Sequence, residues 1–267
     1  MDAHKDEIAA TFDVRARGYR DSDWHRASAR RLVDLCGLKP GDRVLDAGTG
    51  TGFAALHAAR QVGDHGRVIG VDISQGMLSE ARPEAAASSL TNVEFIQCDA
   101  TSLAQFADSA FDVVTAATSL IYIPVEEGLR EWHRLLGAGG LMAFSTMAAG
   151  FPVAGRLFRE CAAEYGVLLD DPCAPLGSAD ACRKALAAAG FVDAGIVTEP
   201  IQFSIRDIDR AWESNLRSLA HKAVRDLPGE SLLALQQRYQ ALVAAEMLAV
   251  PARVLQSSML YAFARRG

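Results

Sequence analysis

The sequence predicts an α/β fold built on a parallel sheet, and three observations carry that prediction. Short apolar runs alternate with helical stretches from Gly41 to Ser145. A loop with glycines at alternate positions, Gly48, Gly50 and Gly52, joins the first run to a helix. Acids close the first two runs, Asp46 one residue before the end of its run and Asp72 as the last of its own. Strand, crossover helix and strand in repetition specify parallel strands with right-handed connections. In such open sheets, ligands bind beyond the carboxyl ends of the strands.

Residues 1–40 form a charged, helical N-terminal segment, whose arginines at 15, 17, 20, 26, 30 and 31 interleave with Asp13, Asp21, Asp23 and Asp34. That mixture reads as an amphipathic helix and not as a basic patch. Strands are expected near 42–47, 67–72, 93–97, 111–116 and 140–146, with helices near 52–62, 75–82 and 124–136. Ser74 can cap the second of these helices. Pro83 is expected to end it, since the residue before proline avoids the α region. Pro124 suits a first helical position.

After Gly150 the alternation stops. Leu157, Cys161 and Tyr165 share a helical face, and 170–177 is a loop rich in breakers. Ser178 opens a helix that Gly190 ends, and 192–198 reads as a strand. Residues 206–249 carry two helical stripes, Ile208, Trp212, Leu216, Leu219 and then Leu232, Leu235, Tyr239, Leu242, divided at Pro228-Gly229. A last strand is expected over 254–264. The organisation expected is a single domain of 267 residues: an N-terminal segment 1–40, a ligand-binding core 41–150, and cap segments 151–176 and 201–250. The inserted helices suit a lid over the ligand. Their alternative reading is a helical pair for contacts in a homodimer.

The glycine spacing bears on the ligand. A dinucleotide turn reads G-x-G-x-x-G and seats a pyrophosphate on a helix N-terminus. Here the run is Asp46-x-Gly48-x-Gly50-x-Gly52, with an acid inside it and no lysine after it. A carboxylate at that place repels a pyrophosphate and attracts an ammonium. The pattern suits a ligand that joins adenosine to an amino acid. Asp72, 20 residues after Gly52, suits the ribose hydroxyls.

Six segments, in order, resemble the class I S-adenosylmethionine-dependent methyltransferases of the ubiquinone/menaquinone-type branch, over about residues 10–150. They are Phe12 to Tyr19 (F-D-x-x-A-x-x-Y), Val44 to Gly52, Val68 to Leu78, Asn92 to Ala100, Phe111 to Tyr122, and Leu135 to Ser145. Ala138 stands where the family's proline usually does. The resemblance implies a Rossmann-like sheet of seven strands, mostly parallel with an antiparallel last strand. It implies a cofactor, S-adenosyl-L-methionine, left as S-adenosyl-L-homocysteine. It also assigns cofactor positions to Tyr19, Asp46, Gly48, Thr49, Gly50, Gly52, Asp72, Ile73, Met77, Asp99, Ala100 and Ala117. Among these, Asp72 holds the ribose and Asp99 the adenine amino group. Substrate-pocket positions are Tyr122, Met147, Trp212 and His221. The expected reaction is methyl transfer to a small apolar or aromatic metabolite, as in secondary metabolism. A cyclase on the same fold is the alternative, with a nicotinamide-dependent oxidoreductase behind it. The missing asparagine-proline-proline-aromatic motif after the fourth strand argues against an amino-nucleobase or glutamine acceptor.

A general base, if one is used, is expected at His25, with His221 and His133 behind it. A net charge of −6 argues against a nucleic-acid target. No apolar run approaches the roughly 18 residues a membrane span needs, and no leader is evident. Five cysteines without paired spacing suit free thiols and a cytoplasmic location. They show no metal spacing, and the six histidines form no H-x-x-x-H pair.

Overall fold

The computed structural model describes residues 3–267, which divide into two compact units. Of the described residues, the first comprises 3–146, Ala179–Val197 and Leu260–Gly267; the second comprises Met147–Ser178 and Thr198–Met259.

In the first unit, two helices lead, α1 (Ala3–Tyr19) and α2 (Asp23–Cys36). Then β1 (Arg43–Ala47), α3 (Phe53–Val62), β2 (Arg67–Asp72), α4 (Gln75–Ala87), β3 (Val93–Gln97), β4 (Phe111–Ala117), α5 (Val125–Leu135) and β5 (Leu136–Met147) alternate as expected. The chain continues through α6 (Val153–Glu164), α7 (Ala179–Ala188) and β6 (Phe191–Gln202). Next come α8 (Ile205–Asp209), α9 (Ala211–Leu216), α10 (Lys222–Arg225), α11 (Gly229–Ala249) and α12 (Pro251–Leu255), before the last strand, β7 (Gln256–Arg266).

The seven strands form one sheet in the order β3-β2-β1-β4-β5-β7-β6. Its first five strands are parallel, Leu45 lying beside Ile69 and Val114, and the last strands are antiparallel. Strand β1 lies inside the sheet between β2 and β4, and its Val44, Leu45 and Ala47 are wholly buried, as suits a parallel strand covered on both faces. The chain runs outward from β1 to β3, then returns to lay down β4 and β5 on the other side. That reversal opens a crevice at the carboxyl ends of β1 and β4.

Pro83 does not end its helix: α4 runs through it to Ala87. The proline removes one donor, but Leu78, Ala81 and Ala85 are buried along the helix, and Glu84-Ala85-Ala86-Ala87 are strong helix formers. Ser74 caps it as expected, its Oγ accepting from Met77 N–H at 3.1 Å. Two strands outrun expectation, β5 starting at Leu136 and β6 ending at Gln202.

The second unit packs helices around its own apolar cluster. Phe158 of α6, wholly buried, meets Trp212, His221 and Tyr239 at ring-centroid distances of 5.4, 5.0 and 5.9 Å. Asp171 anchors the breaker-rich loop, accepting from Gly150 N–H (2.6 Å) and Cys173 N–H (3.0 Å) beside the Arg159 guanidinium (3.2 Å). Among the described residues no helix is long and apolar enough to cross a membrane.

Candidate functional site

A cleft of about 720 Å³, its open mouth included, lies in the first unit at the carboxyl ends of β1, β2, β3 and β4. That is the size range of small-molecule sites. Its lining combines glycines and acids with apolar side chains.

The acids begin at β1, behind the cleft surface. Asp46 is buried, and both carboxylate oxygens are engaged: Thr49 Oγ1 donates to Oδ2 at 2.6 Å and Thr115 Oγ1 to Oδ1 at 2.8 Å. Burial pushes its pKa up, against those hydroxyls. Asp46 does not line the cleft; it ties the glycine loop to β4. Gly48 and Gly50 do line it, at φ +68° and +56°. At Gly48 a Cβ would stand 2.5 Å from Ser119 Cβ, so only glycine lets the two loops meet. At Gly50 the direction of a Cβ is open. Gly52 faces Phe95 and Ala81 instead and serves packing against the sheet.

Asp72 ends β2 inside the cleft. Its Oδ2 accepts from Gly50 N–H (2.7 Å) and its Oδ1 from Ser74 N–H (2.9 Å). Burial nevertheless raises its pKa to about 6, outweighing those two donors. Ile73 and Met77 follow it along the cleft wall.

At β3, Asp99 takes three donors. Thr101 N–H and Thr101 Oγ1 reach its Oδ1 (2.9 and 2.8 Å), and Lys5 Nζ reaches its Oδ2 (2.6 Å). Burial raises the carboxyl's pKa, but the lysine and threonine outweigh it and hold it below its ordinary value. Ala100 beside it is fixed by Trp132, whose buried Nε1–H donates to the Ala100 carbonyl at 2.9 Å.

At β4, Ala117 lines the cleft and Thr118 follows at φ +53°, an uncommon conformation for a β-branched residue. It is held there by Ser145, whose carbonyl and Oγ both accept from Thr118 N–H at 3.1 Å. Backbone strain of this kind concentrates at functional sites. The apolar part of the lining includes Ile8, Phe12, Tyr122, Ile123 and Pro124, with Phe12 edge-on to Tyr122 at 4.8 Å. Tyr19 is also in the lining; burial raises its pKa, so it stays a neutral phenol.

The cleft thus brings together Tyr19, Gly48, Gly50, Asp72, Ile73, Met77, Asp99, Ala100, Ala117 and Tyr122. Asp46, Thr49 and Gly52 stand behind that surface. His25 also stands outside the lining. It shares a hydrogen bond with Ser22 Oγ at 2.6 Å and stacks on Trp24, and burial drives its pKa well below the ordinary value. Met147, Trp212 and His221 fall in the second unit, where all three are buried. His221 gives its Nδ1–H to the Asn215 carbonyl at 2.8 Å. His133 lies on α5 against Phe191, at 4.9 Å between centroids.

Lys5, Ile8, Thr101, Ser119 and Ile123 escaped the sequence reading, as did the supports Thr115 and Trp132. Phe12 carried a signal, since it opens the segment that ends at Tyr19. Lys5 carried none, because its partner lies 94 residues away.

The donor set discriminates among nucleotides. Carboxylates flank the glycine loop, and one of them takes the Gly50 N–H that a phosphate would need. That loop is therefore poorly suited to a dinucleotide pyrophosphate.

Residues 44–140 match the family described as a methyltransferase domain. The aklanonic acid methyltransferase DauC of Streptomyces sp. (strain C5) is 35% identical over 54% of this chain. The chain spans just under two thirds of that relative, 66% of its length. The ubiquinone/menaquinone biosynthesis C-methyltransferase UbiE of Azotobacter vinelandii is 33% identical over 61% of this chain and 71% of its own. Among solved structures, the YcgJ protein of Bacillus subtilis shares the fold with a TM-score of 0.58, at 19% identity, over 90% of this chain and 99% of its own.

Proposed function

The chain belongs to the S-adenosylmethionine-dependent methyltransferases, and from that premise we propose that it methylates a small apolar or aromatic metabolite. The observation that carries this reading is the cleft lining, which combines acids and glycines with aromatic and aliphatic side chains.

Bound there, S-adenosylmethionine would supply a methyl group on a sulfonium sulfur, already activated for displacement. The chain's residues would orient and enclose. Asp72 would accept from the ribose hydroxyls. Asp99 would face the adenine amino group, with Trp132 holding the neighbouring backbone. Gly48 and Gly50 would let the loop approach the amino-acid portion, while Asp46 keeps that loop on β4 and adds negative charge behind it. Phe12 and Tyr122 would flank an apolar acceptor and exclude water from it. Among the described lining residues there is no histidine, so proton removal at neutral pH would rest on the acceptor's own acidity or on a water. The relatives' names, aklanonic acid and the quinones, favour a phenolic or quinol-like ring as the acceptor class. The free thiols of its cysteines favour a reducing compartment such as the cytoplasm.

The test is a panel of phenols, naphthoquinols and polyketide acids incubated with protein and S-adenosylmethionine. The expected outcome is S-adenosylhomocysteine formed in step with a product 14 mass units heavier, a mass fixed by replacing hydrogen with methyl (roughly CH2). Acceptor consumed without S-adenosylhomocysteine would favour the cyclase reading instead. No binding of S-adenosylhomocysteine would overturn the cofactor assignment.

A further inference from the structure

Asp99, proposed above to face the adenine amino group, is shared with the chain's own first helix. Thr101 takes Asp99 Oδ1 twice, through its N–H and its hydroxyl. Oδ2 is the oxygen left for an outside donor, and Lys5 Nζ sits on it at 2.6 Å while also reaching Thr101 Oγ1 at 3.2 Å. Both side chains are largely shielded, at 21% and 20% exposure, so the pair is poorly screened by solvent. Lys5 and Asp99 are both in the cleft lining.

The same helix is fastened independently of Lys5. Asp13 Oδ1 accepts from Ser74 Oγ (2.6 Å) and Gly76 N–H (2.7 Å) at the start of α4, and Arg20, one residue past the end of α1, pairs with Glu84 farther along α4. A Cβ at Gly76 would stand 2.8 Å from Asp13 Cα, so the two helices touch backbone to backbone there. Helix α1 is therefore anchored near its C-terminal half, while Lys5 reaches into the cleft from its first turns.

We propose that Lys5 is a competing donor that sets cofactor affinity: its ammonium and the adenine amino group bid for the same oxygen of Asp99. This rests on the cofactor reading above. To accept the amino N–H at full strength, Asp99 must release Lys5 or share Oδ2 with it. A neutral amino group that displaces an ammonium exchanges a stronger charge-assisted bond for a weaker one, so the lysine lowers affinity. Without Lys5, the carboxylate oxygen lacks a partner until the nucleobase arrives, and binding gains what Lys5 had withheld.

The experiment is calorimetry with S-adenosylhomocysteine on the wild type, Lys5→Met, Lys5→Arg, Asp99→Ala and the Lys5→Met/Asp99→Ala double variant. Lys5→Met should bind about three- to tenfold tighter, the range of a partly screened charged hydrogen bond. Lys5→Arg should stay near the wild type, and Lys5→Met should change nothing in the Asp99→Ala background. Unchanged or weaker binding by Lys5→Met, with circular dichroism showing a folded protein, overturns the competition. Weaker binding would assign Lys5 to direct contact with the ligand. A wild type that binds no S-adenosylhomocysteine overturns the cofactor reading itself, and this proposal with it.

Discussion

Asp72 shows how much one residue's surroundings decide. It was legible in the sequence from its place after an apolar run, 20 residues beyond Gly52. Its hydrogen bonds to Gly50 and Ser74 were not, because they depend on how the loop folds back on the end of the strand. Burial lifts its pKa to about 6, against an unfolded value near 3.9. Between those values the folded protein holds the extra proton, so this group's contribution to stability falls as pH rises from about 4 to about 6. Ligand binding has the opposite sign, since hydroxyl donors favour the ionised carboxylate. S-adenosylhomocysteine should therefore bind more tightly, and with proton release, as pH rises from about 5 to about 7. Asp72→Asn should flatten that profile; an unchanged profile in calorimetry would detach it from Asp72. Asp46 taught the reverse lesson. Its motif position suggested that it holds the ligand's ammonium, directly or through water; not legible were the two threonine hydroxyls, 3 and 69 residues away, that donate to its oxygens and tie the loop to β4.

At the scale of elements, the pattern of apolar runs and breakers gave away β1 to β5 and the helices between them, because parallel strands buried on both faces leave an unmistakable signature. Docking of α1 on α4 was hidden, since it turns on a glycine whose importance is purely steric. Gly76 is helical and would ordinarily be improved by alanine. Here the added methyl would lie 2.8 Å from Asp13 Cα. Gly76→Ala should thus cost about 1–3 kcal/mol by overpacking, where helix propensity alone predicts a gain. Urea denaturation with a midpoint at or above the wild type would refute the close approach. Pro83 marks the opposite failure, a strong local signal overridden by a helix face already committed to the core.

For the molecule as a whole, the sequence showed that the alternation ends near Gly150, and it read the later helices as a lid or a dimer contact within a single domain; that they build a core of their own was not legible. That core joins α6 to α9 and α11, whose contributing residues lie some fifty to ninety positions after those of α6 in the chain. Phe158 is its hub, wholly buried among Trp212, His221 and Tyr239. Phe158→Ala should cost about 3–5 kcal/mol, the usual loss for a buried phenylalanine, measured by chemical denaturation. A cost under about 1 kcal/mol would mean that the cluster contributes little to stability.

Because the second unit is drawn from two separate stretches, 147–178 and 198–259, neither stretch carries a complete interior of its own. A genetic exchange with its boundary anywhere in 179–197 would pair half of one lineage's hydrophobic cluster with half of another's. The two stretches are therefore heritable only as a matched set. Grafting between relatives should succeed when both are transplanted together and fail when either travels alone.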